Sequence, residues 1–282
     1  MAYQTLLFHV DASAGAAART AFACQLAQRC GAHLTGAAPS GLSRHLLLTL
    51  PDEQDDPTLA LHLDMLREQA RGALDAFAQQ CSASGLASFE ARLIDDEAGA
   101  GLALHARSAD LAILGQGAPD SADADLVAHV VTHAGRPVLV LPRGAPEPAL
   151  RHALVAWDGG REAARALQLA VPLLRLAAQV EIVLIEPAAQ SLALADAMLA
   201  DPRPMLARHG IAATLAVHAR APQRLLSRRN DVGERLLAVA AAAGADLIVM
   251  GAYGHSRFRE AILGGVTRTV LEATPVALLM AH

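Results

Sequence analysis

The segment ADLAILG at residues 109–115 returns 136 positions later as ADLIVMG at residues 245–251. The segment RPVLVL at 136–141 returns as TPVALL at 274–279, an offset of 138. A chain that repeats the same strands at nearly constant offset is constrained to fold one unit twice. Each run is short and apolar, and the first pair ends in glycine, as suits strands buried on both faces. Strand patterns alternate with helical spacing around them, which implies parallel sheets covered by helices on both faces. The expected fold class is therefore α/β: two tandem doubly wound domains, each with a mainly parallel five-stranded sheet. The expected domains are residues 1–145 and 150–282. The chain has 282 residues, and halves of about 140 residues match ordinary domain sizes.

In the first half, strands are expected at 5–10, 32–37, 89–94, 111–114 and 138–141, and helices over 14–30, 58–83 and 97–107. Leu59, Leu63, Leu66, Ala70, Leu74 and Phe77 keep helical spacings of three and four. Residues 38–57, rich in Pro, Gly and Asp, are expected as a loop, and residues 143–151 as a linker. In the second half, strands are expected at 153–157, 180–185, 213–217, 247–250 and 276–280. Helices are expected over 161–176, over 191–208 with a break near Pro202 and Pro204, and over 231–243 with Asp231 as cap. Asp11 and Asp158 each close the first strand of their half.

The strand that stops at Gly251 is followed by Gly254, Gly264 and Gly265, which permit turns and close approaches that a Cβ would block. Val266, Val270 and Leu271 then fall at helical spacing, so a helix starts near Gly265 and Val266. Its unpaired N–H groups and the positive end of its dipole favour a phosphate. Thr267 adds a hydroxyl, and Arg257, Arg259 and Arg268 add positive charge. A second reading stands beside this one: plain turns after a strand, with solvated arginines. In open α/β sheets the ligand lies beyond the strand ends where strand order reverses. Asp158 and Gly251 would flank that crevice. Asp158 has a competing role as cap of the helix that follows it.

The spacing Gly251, two residues, Gly254, nine residues, Gly264 resembles that of the universal stress proteins. The nucleotide-binding members of that family follow the third glycine with Ser or Thr. This chain departs there, with Gly265, and Thr267 matches the family's second hydroxyl two positions later. The resemblance covers nearly the whole chain as a tandem of two Rossmann-like, adenine nucleotide alpha hydrolase-like domains, and is specific only in the second. It implies ATP or another adenine nucleotide as ligand, with or without Mg2+. Asp158 would then lie by the adenosine, Ile185 by the base, and Gly254, Gly264, Gly265, Val266 and Thr267 by the phosphates, with Gly251 also in the cofactor site. It also implies a regulatory stress-response role. The last strands of the two halves would pair as an intramolecular pseudo-dimer, with further homodimerisation open.

The first half lacks the later glycines and places Asp120, Asp123 and Asp125 in the corresponding loop. These acids would repel a polyphosphate unless a cation intervened, so a single nucleotide per chain is expected. A divalent-metal site is one reading of the acids; a solvated loop is the simpler one, and no metal site is expected.

All 23 basic residues are arginine. Without lysine there is no P-loop lysine and no Schiff-base chemistry. The formal charge is −5 and no basic run stands out, which argues against nucleic acid as partner. No apolar run approaches the ~20 residues of a membrane span, and the N-terminus reads as a strand rather than a signal peptide. The expectation is a cytoplasmic protein. Cys24, Cys30 and Cys81 lack a disulfide or CxxC pattern and are expected to pack in helices as small apolar groups. His129 and His133 stand four apart on a helix without a third ligand. The adjacent His255 and Ser256 lack a nucleophile elbow. No catalytic residue is assigned. A nucleotide-binding module leads, with a slow ATPase and a nucleotide-free interaction scaffold as the alternatives.

Overall fold

In the computed structural model, residues 2–41, 43, 57–117, 125–144, 149–186, 200–219, 231–254 and 265–282 are described. The chain divides into two compact units, Met1–Val138 and Leu139–His282. The first contains β1 (Thr5–His9), α1 (Ala16–Cys30), β2 (His33–Pro39), α2 (Pro57–Ala83), β3 (Phe89–Ile94), α3 (Ala98–Ala106), β4 (Leu111–Gly115) and α4 (Leu126–His133). Its strands are parallel in the order β3-β2-β1-β4. The division between the units falls inside β5 (Val138–Leu141).

The second unit contains β6 (His152–Ala156), α5 (Arg161–Leu174), β7 (Gln179–Glu186), α6 (Arg203–Arg208), β8 (Ala213–Ala219), α7 (Asp231–Ala243), β9 (Leu247–Gly251), α8 (Val266–Ala273) and β10 (Ala277–Ala281). Its five strands are parallel in the order β10-β9-β6-β7-β8. Strand order thus reverses between β1 and β4 in one unit and between β6 and β9 in the other.

The repeated run that ends in glycine forms β4 in one unit and β9 in the other, with every residue before the terminal glycine buried. The aspartate preceding each run has a shared structural task. Asp110 Oδ2 accepts from the backbone N–H groups of Gln4 and Thr5 at 2.7 and 3.0 Å. Asp246 accepts from those of Arg151 and His152 at 2.9 and 3.0 Å. In each unit this carboxylate fixes the start of the first strand beside the fourth. In the first unit Phe77 of α2 stacks on Phe8, centroids 6.0 Å apart, and meets Phe89 edge-on at 6.2 Å. A Cβ on Gly36 would collide with the Phe77 ring, so the glycine in β2 is what lets that ring lie on the sheet.

Element ends differ from the sequence pattern where local hydrogen bonds intervene. α1 starts at Ala16 because Ser13 folds into a turn, with its N–H on Asp11 Oδ1 and its carbonyl accepting from Ala16. α5 ends at Leu174 as the N–H groups of Leu176 and Ala177 bond back only three residues. β10 starts one residue late because Thr274 Oγ1 accepts from the Val276 N–H at 3.3 Å and donates to its carbonyl at 2.9 Å. The helix expected over 191–208 is seen as α6, opening after Pro202; residues 191–199 lie outside the described residues. So do residues 44–56 of the expected loop and 145–148 of the expected linker.

Candidate functional site

Beyond the C-terminal ends of β6, β7 and β9 lies a cavity of about 150 Å3. An apolar cavity of that size accommodates a benzene-sized ring. Ala156, Trp157, Met250 and Gly251 line it from the strand ends, Val183 and Ile185 from β7, and Val232 and Leu236 from α7. Asp158, Glu162, Tyr253, Gly254, Val266 and Thr267 border the same space. An apolar wall with a few convergent polar groups is the usual make-up of a small-molecule site. Of the expected residues, Asp158, Ile185, Gly251, Gly254, Val266 and Thr267 all line this one cavity. Gly265 stands next to it as the residue before α8. Gly264 lies outside the described residues, as do His255, Ser256, Arg257 and Arg259.

Asp158 is not the N-cap residue of α5. Its Oδ1 accepts from the Gly160 N–H at 2.8 Å, and Gly160 is the N-cap, without a side-chain cap bond. The Asp-Gly-Gly sequence favours a side-chain turn over a cap, with Gly159 at φ +75°.

Of the two glycines after Val249, Gly251 is required for steric reasons against backbone, whereas Gly254 meets only the movable end of a side chain. A Cβ on Gly251 would stand 2.6 Å from the Ala163 nitrogen and the Glu162 carbonyl carbon. One on Gly254 would stand 2.6 Å from Glu162 Oε2. Between them Tyr253 adopts φ +57°, the left-handed region that a non-glycine residue enters at a cost. Its N–H donates to Thr267 Oγ1 at 3.2 Å. Thr267 is buried, so its hydroxyl ties the loop after β9 to the first turn of α8 and keeps its own hydrogen to donate. Gly265 caps α8 in an extended conformation with no side-chain cap bond, consistent with the hydroxyl that the sequence lacks there. Arg268 is not held against the site: it is exposed and pairs with Glu272 at 2.6 Å. α7 approaches α8 closely at Gly233, where a Cβ would meet Thr269 Cβ at 2.9 Å and the Val266 carbonyl oxygen at 3.3 Å.

Glu162 carries the site's unexpected charge. Its carboxylate is mostly buried and pairs with exposed Arg161 at 2.6 Å. Burial pushes its pKa up, but the hydrogen bond and charge of Arg161 outweigh this and hold it below the usual glutamate value. An ionised carboxylate therefore stands against Gly254, where the sequence places phosphates. Trp157, Tyr253, Val232 and Leu236 were also not singled out by the sequence. Glu162 was findable as the acid in the first turn after the Asp-Gly-Gly turn; the apolar liners carry no signal beyond periodicity.

In the first unit, Asp11 repeats the turn of Asp158, accepting from the Ser13 N–H at 2.8 Å. Here Arg19 reaches across. Its Nη2 lies 2.7 and 2.6 Å from the two Asp11 oxygens and 2.7 Å from Ser13 Oγ. A Cβ on Gly115 would stand 2.8 Å from Arg19 Nε, an atom buried without a hydrogen-bond partner. The guanidinium thus sits between the ends of β1 and β4. Of the three loop acids, only Asp125 lies among the described residues, just before α4 and without a side-chain cap bond. His129 and His133 stack with centroids 4.2 Å apart. Among the described residues no group of three His, Cys, Asp or Glu could hold a metal, and no helix is long and apolar enough to cross a membrane.

Residues 149–282 match the sequence model of the Universal stress protein family. Across nearly the whole chain the fold is similar to that of a universal stress protein from Archaeoglobus fulgidus DSM 4304. That match has a TM-score of 0.71 and 17% identity, covering 98% of this chain and 95% of the other. A putative universal stress protein from Pseudomonas aeruginosa UCBPP-PA14 matches with a TM-score of 0.63 and 16% identity, over 99% and 93% of the two chains. A functionally unknown protein from Pseudomonas aeruginosa PAO1 gives 0.62 and 16%, over 99% and 92%. No curated protein matches the chain.

Proposed function

Residues 149–282 of this chain belong to the universal stress protein family, and from that premise we propose that the second unit binds an adenine nucleotide, ATP in the first instance. The observation that carries this reading is convergence. Asp158, Ile185, Gly251, Gly254, Val266 and Thr267 border a single cavity at the strand-order reversal, where such sheets bind ligands. The adenine ring would pack against Val183, Ile185 and Leu236. The ribose hydroxyls would donate to Asp158. The phosphates would lie toward the Gly254 loop, Gly264 and Gly265, and the first N–H groups of α8, with Thr267 donating its hydroxyl.

Glu162 favours a second reading, a nucleoside or monophosphate. At ~4 Å and an effective dielectric near 20, two unit charges interact by ~4 kcal/mol, which opposes a polyphosphate beside Gly254. Mg2+ between carboxylate and phosphates would remove that opposition. Calorimetric titration with ATP, with and without Mg2+, then AMP and adenosine, separates these. Binding of ATP only with Mg2+ supports the first reading. Preference for AMP or adenosine supports the second. No binding of any of them leaves the interaction scaffold.

The role that fits a binding module is regulatory, in the cytoplasm, without turnover as its output. Phosphoryl transfer needs a positioned base and charge at the γ-phosphate, and Glu162, the carboxylate beside Gly254, is paired with Arg161 and held below the usual glutamate value, which makes it a weak base. Phosphate release should stay well below the enzymatic range of ~1–10³ s⁻¹; several turnovers per second would overturn this. We further propose that residues 1–145 are a degenerate copy of the family domain joined to 150–282. The two last strands would pair within the chain.

A further inference from the structure

Cys24 of α1 and Cys81 of α2 bring their sulfurs to 3.3 Å across the interface of two helices. Both residues are buried. A disulfide needs ~2.05 Å, so closure asks for an approach of only about 1.2 Å, within reach of side-chain rotation and a small helix shift. The distance is that of an S–H···S hydrogen bond, and apolar packing alone does not require it. We infer that Cys24 and Cys81 form a peroxide-oxidisable dithiol that closes to an intramolecular disulfide, fastening α1 to α2.

The chemistry supports this, and a cavity lies close by. A cavity of about 440 Å3 lies between the turn after β1 and the two helices, bordered by Thr20 of α1 and by Phe77 and Gln80 of α2. Thr20 and Cys24, like Phe77 and Cys81, are four residues apart and so lie on one helix face a turn apart, about 5.4 Å. Neither cysteine lines the cavity, so peroxide that enters it meets the sulfurs when α1 and α2 part locally. The hydrogen bond from Cys81 lowers the Cys24 pKa to about 7; burial opposes this and a bond from Ser84 adds to it. The contact allows either sulfur to donate; with Cys81 donating, Cys81 is held protonated, its pKa raised by the same bond and by burial. Cys24 is therefore the attacking thiolate. It takes one peroxide oxygen as sulfenic acid, and the other leaves as hydroxide, protonated to water. The Cys24 charge that held the Cys81 proton is then gone. Cys81 ionises, attacks the sulfenic sulfur and displaces its oxygen as a second water. Two thiols and one peroxide give one disulfide and two waters. Cys30, whose thiol pKa is raised by burial, serves as an internal control.

The test uses the full chain. Reduced protein is treated with hydrogen peroxide, remaining thiols are alkylated, and trypsin is applied. Cleavage after Arg29 separates Cys24 from Cys30, placing Cys24 in residues 20–29, Cys30 in 30–44 and Cys81 in 72–92. The expected product is a 20–29/72–92 linked pair, roughly 2 Da lighter than its two thiols, lost on reduction, with Cys30 alkylated. In Cys81→Ser, Cys24 should accumulate as a sulfenic acid trapped by dimedone, at least about tenfold faster than Cys30. Alkylation of all three cysteines after peroxide, a link through Cys30, or sulfinic acid at Cys24 without any link would overturn the inference. Should Cys81→Ser not fold, Cys30→Ser carries the same test, because the linked pair must form unchanged without Cys30.

Discussion

Arg19 Nη2 bridges both carboxylate oxygens of Asp11 at 2.7 and 2.6 Å, while the equivalent Asp158 borders an open cavity. Asp11 also borders a cavity, toward α1 and α2, but there the Arg19 guanidinium lies against Gly115 at the end of β4, a cation at the place where the second unit is proposed to hold its ligand. One nucleotide per chain is the expected stoichiometry. Asp158→Ala should weaken adenosine or nucleotide binding about 10–100-fold, the loss expected of a charged hydrogen bond worth ~1.5–3 kcal/mol. Asp11→Ala should leave affinity unchanged. Titration giving two sites, or equal losses in both variants, would contradict the asymmetry.

The Asp11 pair also predicts a pH dependence. Burial raises the Asp11 pKa, but the hydroxyl and N–H of Ser13 and the charge of Arg19 outweigh it, and the net shift is downward. A carboxylate with a folded pKa below its unfolded value stabilises fully above the unfolded value of ~3.9 and loses that contribution as pH falls through the folded one. In urea titrations, wild type should therefore exceed Asp11→Asn at neutral pH, and the gap should close in acid. A gap that persists near pH ~2 would show that the pair's charge is not its source.

Glu162→Gln should separate phosphate recognition from base recognition. Removing the carboxylate beside Gly254 takes away a repulsion of up to ~4 kcal/mol at contact distance, reduced by solvent and by Arg161. ATP without Mg2+ should bind severalfold to about tenfold more tightly, and adenosine as before. Equal gains for both ligands would mean that Glu162 acts through packing.

Asp246→Ala should destabilise the second unit by about 1–3 kcal/mol, because it strips the acceptor from the N–H groups at the start of β6. The readout is a lower urea midpoint; an unchanged midpoint would mean that water replaces the carboxylate without loss. Asp110→Ala tests the same device in the first unit.

The architecture was legible because strands buried on both faces leave an apolar signature, and β4 and β9 spell it in the same pattern, Leu first and Gly last. Site residues at strand ends were legible through their glycines, since a missing Cβ is visible in the letters and the collision it avoids is local. Arg19 and Glu162 were not. Each acts across a crevice between elements, and a sequence does not tell which crevice a long charged side chain will cross. The pairing of Cys24 with Cys81 was hidden for the same reason: two helices 57 positions apart at those residues meet only in the fold. The aspartates of the repeat were visible as letters, yet their task of fixing the first strand appears only once β1 and β6 lie beside their partners.

Gly233 borders no ligand space, yet Thr269 and the Val266 carbonyl fill the place where its side chain would stand. The residues on either side of it in α7, Val232 and Leu236, wall the cavity, while Val266 and Thr267 stand at its mouth. The gauge of the opening is therefore set by a hydrogen atom on the far side of a helix. A methyl group there would widen the gap between wall and mouth without altering a single lining residue. Mutations that retune what this protein holds can thus arise at a position that a catalogue of contacts would pass over.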